Sequence, residues 1–470
     1  MTACLARSRP ARASRPSTRR ASRSRVRLRA LITAVLGLAV LTGCAGAGAL
    51  GGNGGRTSLT VAIVANPQMK DAISLSPRFE AQHPDVELNF VTLPENEARA
   101  KITASVATGG GEYDVVMISN YETPMWAKNR WLVDLQPYAE RTPGYDPGDF
   151  IGSIRKSLSY KGDLYSVPFY GESSFVVYRK DLFRKAGLTM PQHPTWQQIR
   201  GFAKKLNDPK KGVAGICLRG LPGWGENLAP LDTVVNTFGG RWFDPSWHAR
   251  LTAPPFRKAV GFYVDLVRDY GEPGAATSGF SECATRYSQG QAAMWYDATS
   301  MVSTVEDKST SRVVGRNGYA QAPVVGSDHS GWLYSWSLAI PTTSAHKQAA
   351  WDFMSWMTSK SYMKLVGHRL GWARVPPGSR LSTYRIPQYK KAASAYAGPT
   401  LEAMKHADPN HPGVKPVPYH GIQFVQIPEF QDLGTRVSQQ ITAAIAGQKS
   451  VPAALDQSQR YASDVGETYR

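Results

Sequence analysis

This sequence predicts an α/β protein with two lobes, on three observations. Its 470 residues exceed what one hydrophobic core usually serves and fit two lobes of common size. From residue 57 onward, segments of period-2 and period-3.6 hydrophobicity alternate, as β-α-β units do. The third strand segment, Tyr113 to Ile118 (YDVVMI), is a nearly continuous apolar run, as a buried parallel strand requires.

The first element, residues 1–43, reads as a signal peptide. Ten arginines lie between Arg7 and Arg29, and no other charged residue occurs before Arg56. The apolar run Leu31 to Leu41 (LITAVLGLAVL) is too short for a stable membrane span and ends in Thr42, Gly43 and Cys44. LTGC also resembles the lipobox of bacterial lipoproteins, which implies cleavage before Cys44 and lipidation of that residue. An ordinary signal peptide with an incidental cysteine is the alternative. Residues 44–56, rich in Gly and Ala, form a flexible tether. A translation start near Val26 would leave a short Val-Arg-Leu-Arg leader, and Arg19-Arg20 is a twin-arginine candidate.

The leader explains most of the charge. Of a formal net charge of +19, the ten leader arginines supply more than half; without them 45 basic residues stand against 36 acidic ones, or +9. Charge carried on a tail says little about the folded part. No nucleic-acid-binding motif and no basic stripe interleaved with aromatics follows, so nucleic acid is not an expected partner. Cys4 and Cys44 belong to the leader, leaving Cys217 and Cys283. Either these two pair in an oxidising compartment, or both are small buried hydrophobes.

The following elements come in order. Leu59, Val61 and Ile63 alternate as a strand, and a helix from about Lys70 to Gln82 is closed by Pro84. Val86, Leu88 and Phe90 mark a second strand. Ala98 to Thr108 is a helix stopped by Gly109-Gly110-Gly111. With the third strand this is the start of a doubly wound open sheet, in which ligands bind outside the carboxyl ends of the strands. The segments leaving those ends are Asn66-Pro67-Gln68, Pro94-Glu95-Asn96 and Asn120-Tyr121-Glu122. All carry amides or carboxylates, groups suited to hydroxyls that both donate and accept. Beyond Gly162, Leu164 to Tyr178 is long, aromatic and strand-like; helices are expected over Gln197 to Leu206 and Pro255 to Tyr270. Ala292 to Tyr296 is a strand leading into Asp297, and Trp332 to Pro341 another, followed by the amphipathic segment Lys347 to Met357. Leu433, Val437, Ile441 and Ile445 share one helical face, with Gly447 as the stop.

Several stretches resemble the extracellular solute-binding proteins of ABC importers for carbohydrates, the maltose-binding-like group. YKGDLYSVPFYGESSFVVYRKDLFRKAGL (Tyr160 to Leu188) is similar to that family's crossover between lobes. YSQGQAAMWYDAT (Tyr287 to Thr299) is similar to the return crossing, and AAIAGQKSVPAALDQSQ (Ala443 to Gln459) to the closing helix pair. ICLRGLPGWGENLAPL, GWLYSWSLAIP, GWARVPPGSR and VKPVPYHGIQFVQIPEFQDLGT resemble the subgroup that binds linear alditols such as sorbitol, mannitol and arabinitol. The resemblance implies two periplasmic-binding-protein-like lobes joined by three hinge crossings. Lobe 1 would be 57–166 and 298–336; lobe 2 would be 167–297 and 337–470. It further implies a monomer on the extracytoplasmic face of the membrane, anchored by lipid, that passes a small polyol or sugar to an ABC permease. No cofactor or metal is implied.

The expected ligand-binding residues are Asn66, Gln68, Glu95, Tyr121 and Glu122 from the first lobe, and Glu172 beside the crossover. The second lobe would add Trp224, Glu226 and Asn227 in GWGEN, where glycines permit close backbone approach. Asp297 lies at the second crossing, serving the ligand or the hinge. Trp336 comes from a stripe, Trp332-Tyr334-Trp336, that shares one strand face and serves as a stacking wall or as core. Arg374 offers a planar fork for vicinal hydroxyls, or a surface ion pair. A flexible polyol has no ring face, so hydrogen bonds should dominate its recognition. The chain holds no His-Glu-x-x-His, Cys-x-x-Cys, P-loop or Gly-x-Ser-x-Gly motif, and its nine histidines show no ligand spacing. The enzymatic alternative is a secreted glycoside hydrolase using two of Glu122, Glu172 and Glu226.

Overall fold

The computed structural model of the protein describes residues 55–470; the expected signal peptide, Cys44 and the tether up to residue 54 lie outside the described residues. Strand β1 (Thr57–Val64) carries the alternation read from Leu59, Val61 and Ile63. The expected single helix after it is two, α1 (Pro67–Leu75) and α2 (Pro77–Gln82). Pro77 has no N–H to continue the ladder, so the chain restarts at Ser76. Strand β2 (Val86–Leu93) and helix α3 (Glu95–Thr108) follow, the helix ending at Gly109 in the left-handed region, φ 68°. Strand β3 (Val115–Ser119) is buried along its whole length and runs into α4 (Glu122–Lys128).

The long aromatic stretch divides in two. Strand β4 (Val167–Glu172) and strand β5 (Ser174–Arg179) are separated only by Ser173, yet they belong to different sheets. With β6 (Met294–Ala298), β7 (Asn317–Gln321) and β8 (Tyr334–Ala339), the sheets are complete. The first has the order β2-β1-β3-β8-β4, with β1 parallel to both neighbours and β8 antiparallel to both of its own. The second is antiparallel, in the order β6-β5-β7. Each sheet is the centre of one lobe.

The chain changes sheet at Ser173, between β7 and β8, and again between the helices that pack on the first sheet and the helix Ala397–His406, which packs on β5 and β7. The places differ from those the sequence predicts. Residues 167–172, expected in lobe 2, form an edge of the first sheet. Residues 337–339 complete β8 there, and helix Lys347–Met357 packs on β1 and β4, so 337–470 is not one lobe. Nor does 298–336 belong to lobe 1 as a whole: β7 pairs with β5, and only Tyr334 to Trp336, the start of β8, lie in the first sheet. An apolar strand fits either sheet equally well, and only pairing, which sequence pattern does not encode, decides. The closing helices Phe430–Ile445 and Val451–Glu467 pack together and against Pro254–Tyr270.

Cys217 and Cys283 form a disulfide, their Cα atoms 5.7 Å apart. It ties the segment bridged to β6 at Trp295 to helix Phe280–Ser288. It closes a loop of 66 residues, so replacing both cysteines by alanine is expected to cost about 3 kcal/mol. Urea unfolding of the oxidised protein against the double variant measures it. Among the described residues no helix is long and apolar enough to cross a membrane.

Candidate functional site

A cavity of about 300 Å³ lies between the two sheets, at the carboxyl ends of β1 and β2. Its first-lobe wall includes Asn66, Glu95, Tyr170, Glu172 and Trp336; facing them are Arg219, Glu226 and Phe280, with Ser300 at the back. The loops placed here follow from local chemistry. Asn66 caps α1, its side-chain oxygen accepting from the Met69 amide at 2.9 Å, which leaves its Nδ2 to donate to the Tyr170 hydroxyl at 3.1 Å. Glu95 opens α3, where a carboxylate suits the positive end of the helix.

Two arginines organise the charge. Arg219 is buried and forks onto Asp297, Nε donating to Oδ2 at 2.8 Å, while Nη1 donates to the Gly225 carbonyl at 2.8 Å. Asp297 is fully buried and also accepts from Trp295 Nε1 at 3.1 Å. Arg99 holds Glu95 at 2.8 Å and Glu122 at 3.0 Å and donates to the Tyr334 hydroxyl. Its guanidinium lies 4.1 Å from the Trp224 ring centroid and 4.5 Å from that of Trp336, so one cation is sandwiched between indoles of the two lobes.

The remaining carboxylates are less well served. Burial pushes Glu172 up to about 8, against the opposing effect of a hydrogen bond from the Ser300 hydroxyl at 2.6 Å. Burial, and then the neighbouring Glu95, push Glu226 up to about 8 as well. A raised carboxyl makes the folded state bind more protons than the unfolded chain. Its stabilising effect is therefore whole at acid pH and lost as pH climbs from the ordinary value of 4.5 through 8. Glu172→Gln is expected to raise stability by about 4 kcal/mol at pH 8.5 and by almost nothing at pH 4, measured by chemical unfolding.

Of the residues expected from sequence, the cavity gathers Asn66, Glu95, Glu172, Glu226 and Trp336. Asp297 stands behind Arg219 and orients it. The others are elsewhere. Gln68 is turned to Ser303 Oγ at 2.9 Å and the Ser300 carbonyl at 3.3 Å. Glu122 is spent on Arg99 and on the amide of Ser119 at 2.9 Å. Tyr121 and Trp224 pack together, ring centroids 4.7 Å apart, and the Tyr121 hydroxyl donates to the Ile427 carbonyl at 2.8 Å. Asn227 donates to Thr442 Oγ1 at 2.9 Å and accepts from the Ser438 hydroxyl, joining its loop to helix Phe430–Ile445. Arg374 pairs with Asp71 and, at 3.4 Å, with Asp307, away from the cavity. Trp332 lies before β8 and packs on Tyr296.

Sequence reasoning missed Tyr170, Arg219, Phe280 and Ser300. Tyr170 had a signal: it is two residues before Glu172 on one strand and so shares its face. Arg219 stood five residues before Trp224 in a stretch already singled out. Phe280 and Ser300 carried none.

The GWGEN glycines let the lobes meet. Asn96 Nδ2 donates to the Pro222 carbonyl at 2.9 Å, and a Cβ on Gly225 would lie 2.2 Å from Glu95 Oε1. Gly225→Ala is therefore expected to wedge the lobes apart and weaken ligand binding about tenfold, read by calorimetry.

Two lobes around a ligand-sized cavity, entered from the ends of an open sheet, define a bilobal binding protein. The chain belongs to the bacterial extracellular solute-binding proteins, whose family model matches residues 63–364. It is 46% identical over 407 residues to a mannitol-binding protein of Pseudomonas aeruginosa, covering 86% of this chain and 92% of that one. A solved ABC transporter solute-binding protein of Agrobacterium vitis, with bound D-mannitol, matches with a TM-score of 0.86 and 46% identity, covering 88% of this chain and 99% of that one. Another, from Agrobacterium radiobacter in complex with ribitol, matches with a TM-score of 0.75 and 25% identity, covering 87% and 99%. The two solved relatives are solute-binding proteins of ABC transporters and the third is a mannitol-binding protein, so the hydrolase alternative has no support among them.

Proposed function

We propose that the protein is an extracytoplasmic, lipid-anchored receptor for a small alditol, D-mannitol foremost, which it delivers as a monomer to an ABC import permease. The observation that carries this reading is the cavity itself. It is of a size for one small ligand and walled by both lobes, and its lining groups, Asn66, Tyr170, Glu172, Arg219 and Glu226, pair with hydroxyls as donors or acceptors. A ligand reaching both walls binds only when the lobes are together, and that difference in affinity drives closure. The likeness to the mannitol-binding relative supports a hexitol over a disaccharide.

Isothermal titration of the purified protein with D-mannitol, D-glucitol, D-arabinitol, ribitol, D-mannose and maltose tests it. The expected result is a hexitol dissociation constant near micromolar, about −8 kcal/mol, with maltose silent. Heat from maltose and none from any alditol would overturn the reading. The anchor is tested separately: labelled palmitate is expected in the wild type and absent from Cys44→Ala.

A further inference from the structure

A site for neutral alditols has no need of an excess of acidic groups, yet the wall of this cavity carries four glutamates against one arginine. Arg99 answers Glu95 and Glu122, and Arg219 answers Asp297. Glu172 and Glu282 remain on the wall without an ion pair, and Glu226 has only a share of the Arg219 already engaged by Asp297. Arg219 Nη1 stops 3.6 Å from Glu226, outside hydrogen-bonding distance. The hydrogen-bond partners of these carboxylates are neutral. They are the Ser300 hydroxyl on Glu172, the Phe280 amide on Glu226 at 3.3 Å and the Gly279 amide on Glu282 at 2.9 Å. Glu95 lies close enough to raise both Glu172 and Glu226, so these carboxyls of the two walls face one another across the cavity.

We propose that the same cavity also takes protonated amino-alditols, the ammonium drawn to Glu95, Glu172 and Glu226, and that it rejects aldonates and alditol phosphates. The inference rests on the alditol reading and extends it by charge class. An ammonium arriving here supplies the counter-charge the wall lacks. Burial first, with Glu95 adding to it, keeps Glu172 and Glu226 protonated up to about 8, and an ammonium beside them would favour their ionised forms. An anion meets the buried carboxyl groups of Glu172 and Glu226 at short range, where like charges repel more than they do in open water. A bare metal ion fits less well: among the described residues no three of these carboxylates bring oxygens within 4.8 Å of one another. An extended organic cation places its charge at one end and its hydroxyls along the remaining wall.

The test is calorimetric titration of the purified protein at pH 8 and low salt with D-mannitol, 1-amino-1-deoxy-D-mannitol, D-mannonate, D-mannitol 1-phosphate and calcium chloride. The amine is expected to bind at least as tightly as mannitol, and both anions about a hundredfold more weakly. In Glu172→Gln and Glu226→Gln the ratio of amine to mannitol affinity is expected to fall about tenfold, a readout that a general loss of folding does not imitate. An amine that fails to bind where mannitol binds overturns this inference and leaves the alditol reading standing. Anions bound as tightly as mannitol overturn it too, as does calcium bound more tightly than the amine. If neither mannitol nor the amine binds, both readings fall.

Discussion

Replacing Arg219 by alanine is expected to abolish alditol binding and to cost about 3–5 kcal/mol of stability. Two effects add. The cavity loses the one guanidinium on its second-lobe wall, and Asp297, fully buried, loses the partner that compensates it. Double replacement separates them. Arg219→Met with Asp297→Asn removes both charges, so most of the stability is expected to return while binding stays absent. Urea unfolding and calorimetry on the same three proteins read the two quantities. Recovery of binding in the double variant would show that Arg219 holds Asp297 and does nothing for the ligand.

Arg99→Ala is the second large effect, about 3–4 kcal/mol in stability with ligand affinity reduced at least thirtyfold. Arg99 touches no ligand in this account, because it lies behind Glu95. Its removal frees the buried carboxylate of Glu122 and the partly buried one of Glu95 at once and takes away the cation between Trp224 and Trp336. Glu95 would then turn or take up a proton, and the lobes would lose a contact they share. Small-angle scattering is expected to show a larger radius of gyration for the variant than for the wild type, both with saturating mannitol. Arg99→Lys keeps the charge but not the planar fork, and is expected to recover less than half of the loss.

The first lobe was legible in the sequence down to its strands, because β1 to β3 alternate or run apolar and are separated by helices with clear stops. The rim rule for open sheets points to Asn66 and Glu95, and both line the cavity. It failed at Gln68 and Glu122 for a physical reason. Residues leaving a strand end can face the cavity or turn back to cap and brace the next helix, and the choice depends on partners distant in sequence. Ser303 claims Gln68 and Arg99 claims Glu122. Lobe boundaries were illegible for a related reason. Nothing in VPFYGESSFVVYR shows that Ser173 is where the chain leaves one sheet for the other. Arg219 carries no signal of its own in a stretch whose aromatic and acidic residues are equally suited to a ligand. Its role comes from Asp297, 78 residues further on.

The indole pair around Arg99 gives the protein a built-in optical gauge. Trp224 and Trp336 sit on opposite walls of the seam and both are nearly shielded from water. Any parting of the walls wets at least one of them and reddens its emission. The molecule thus announces its own opening, and a phenylalanine at either position would dim that announcement without the need for an added dye.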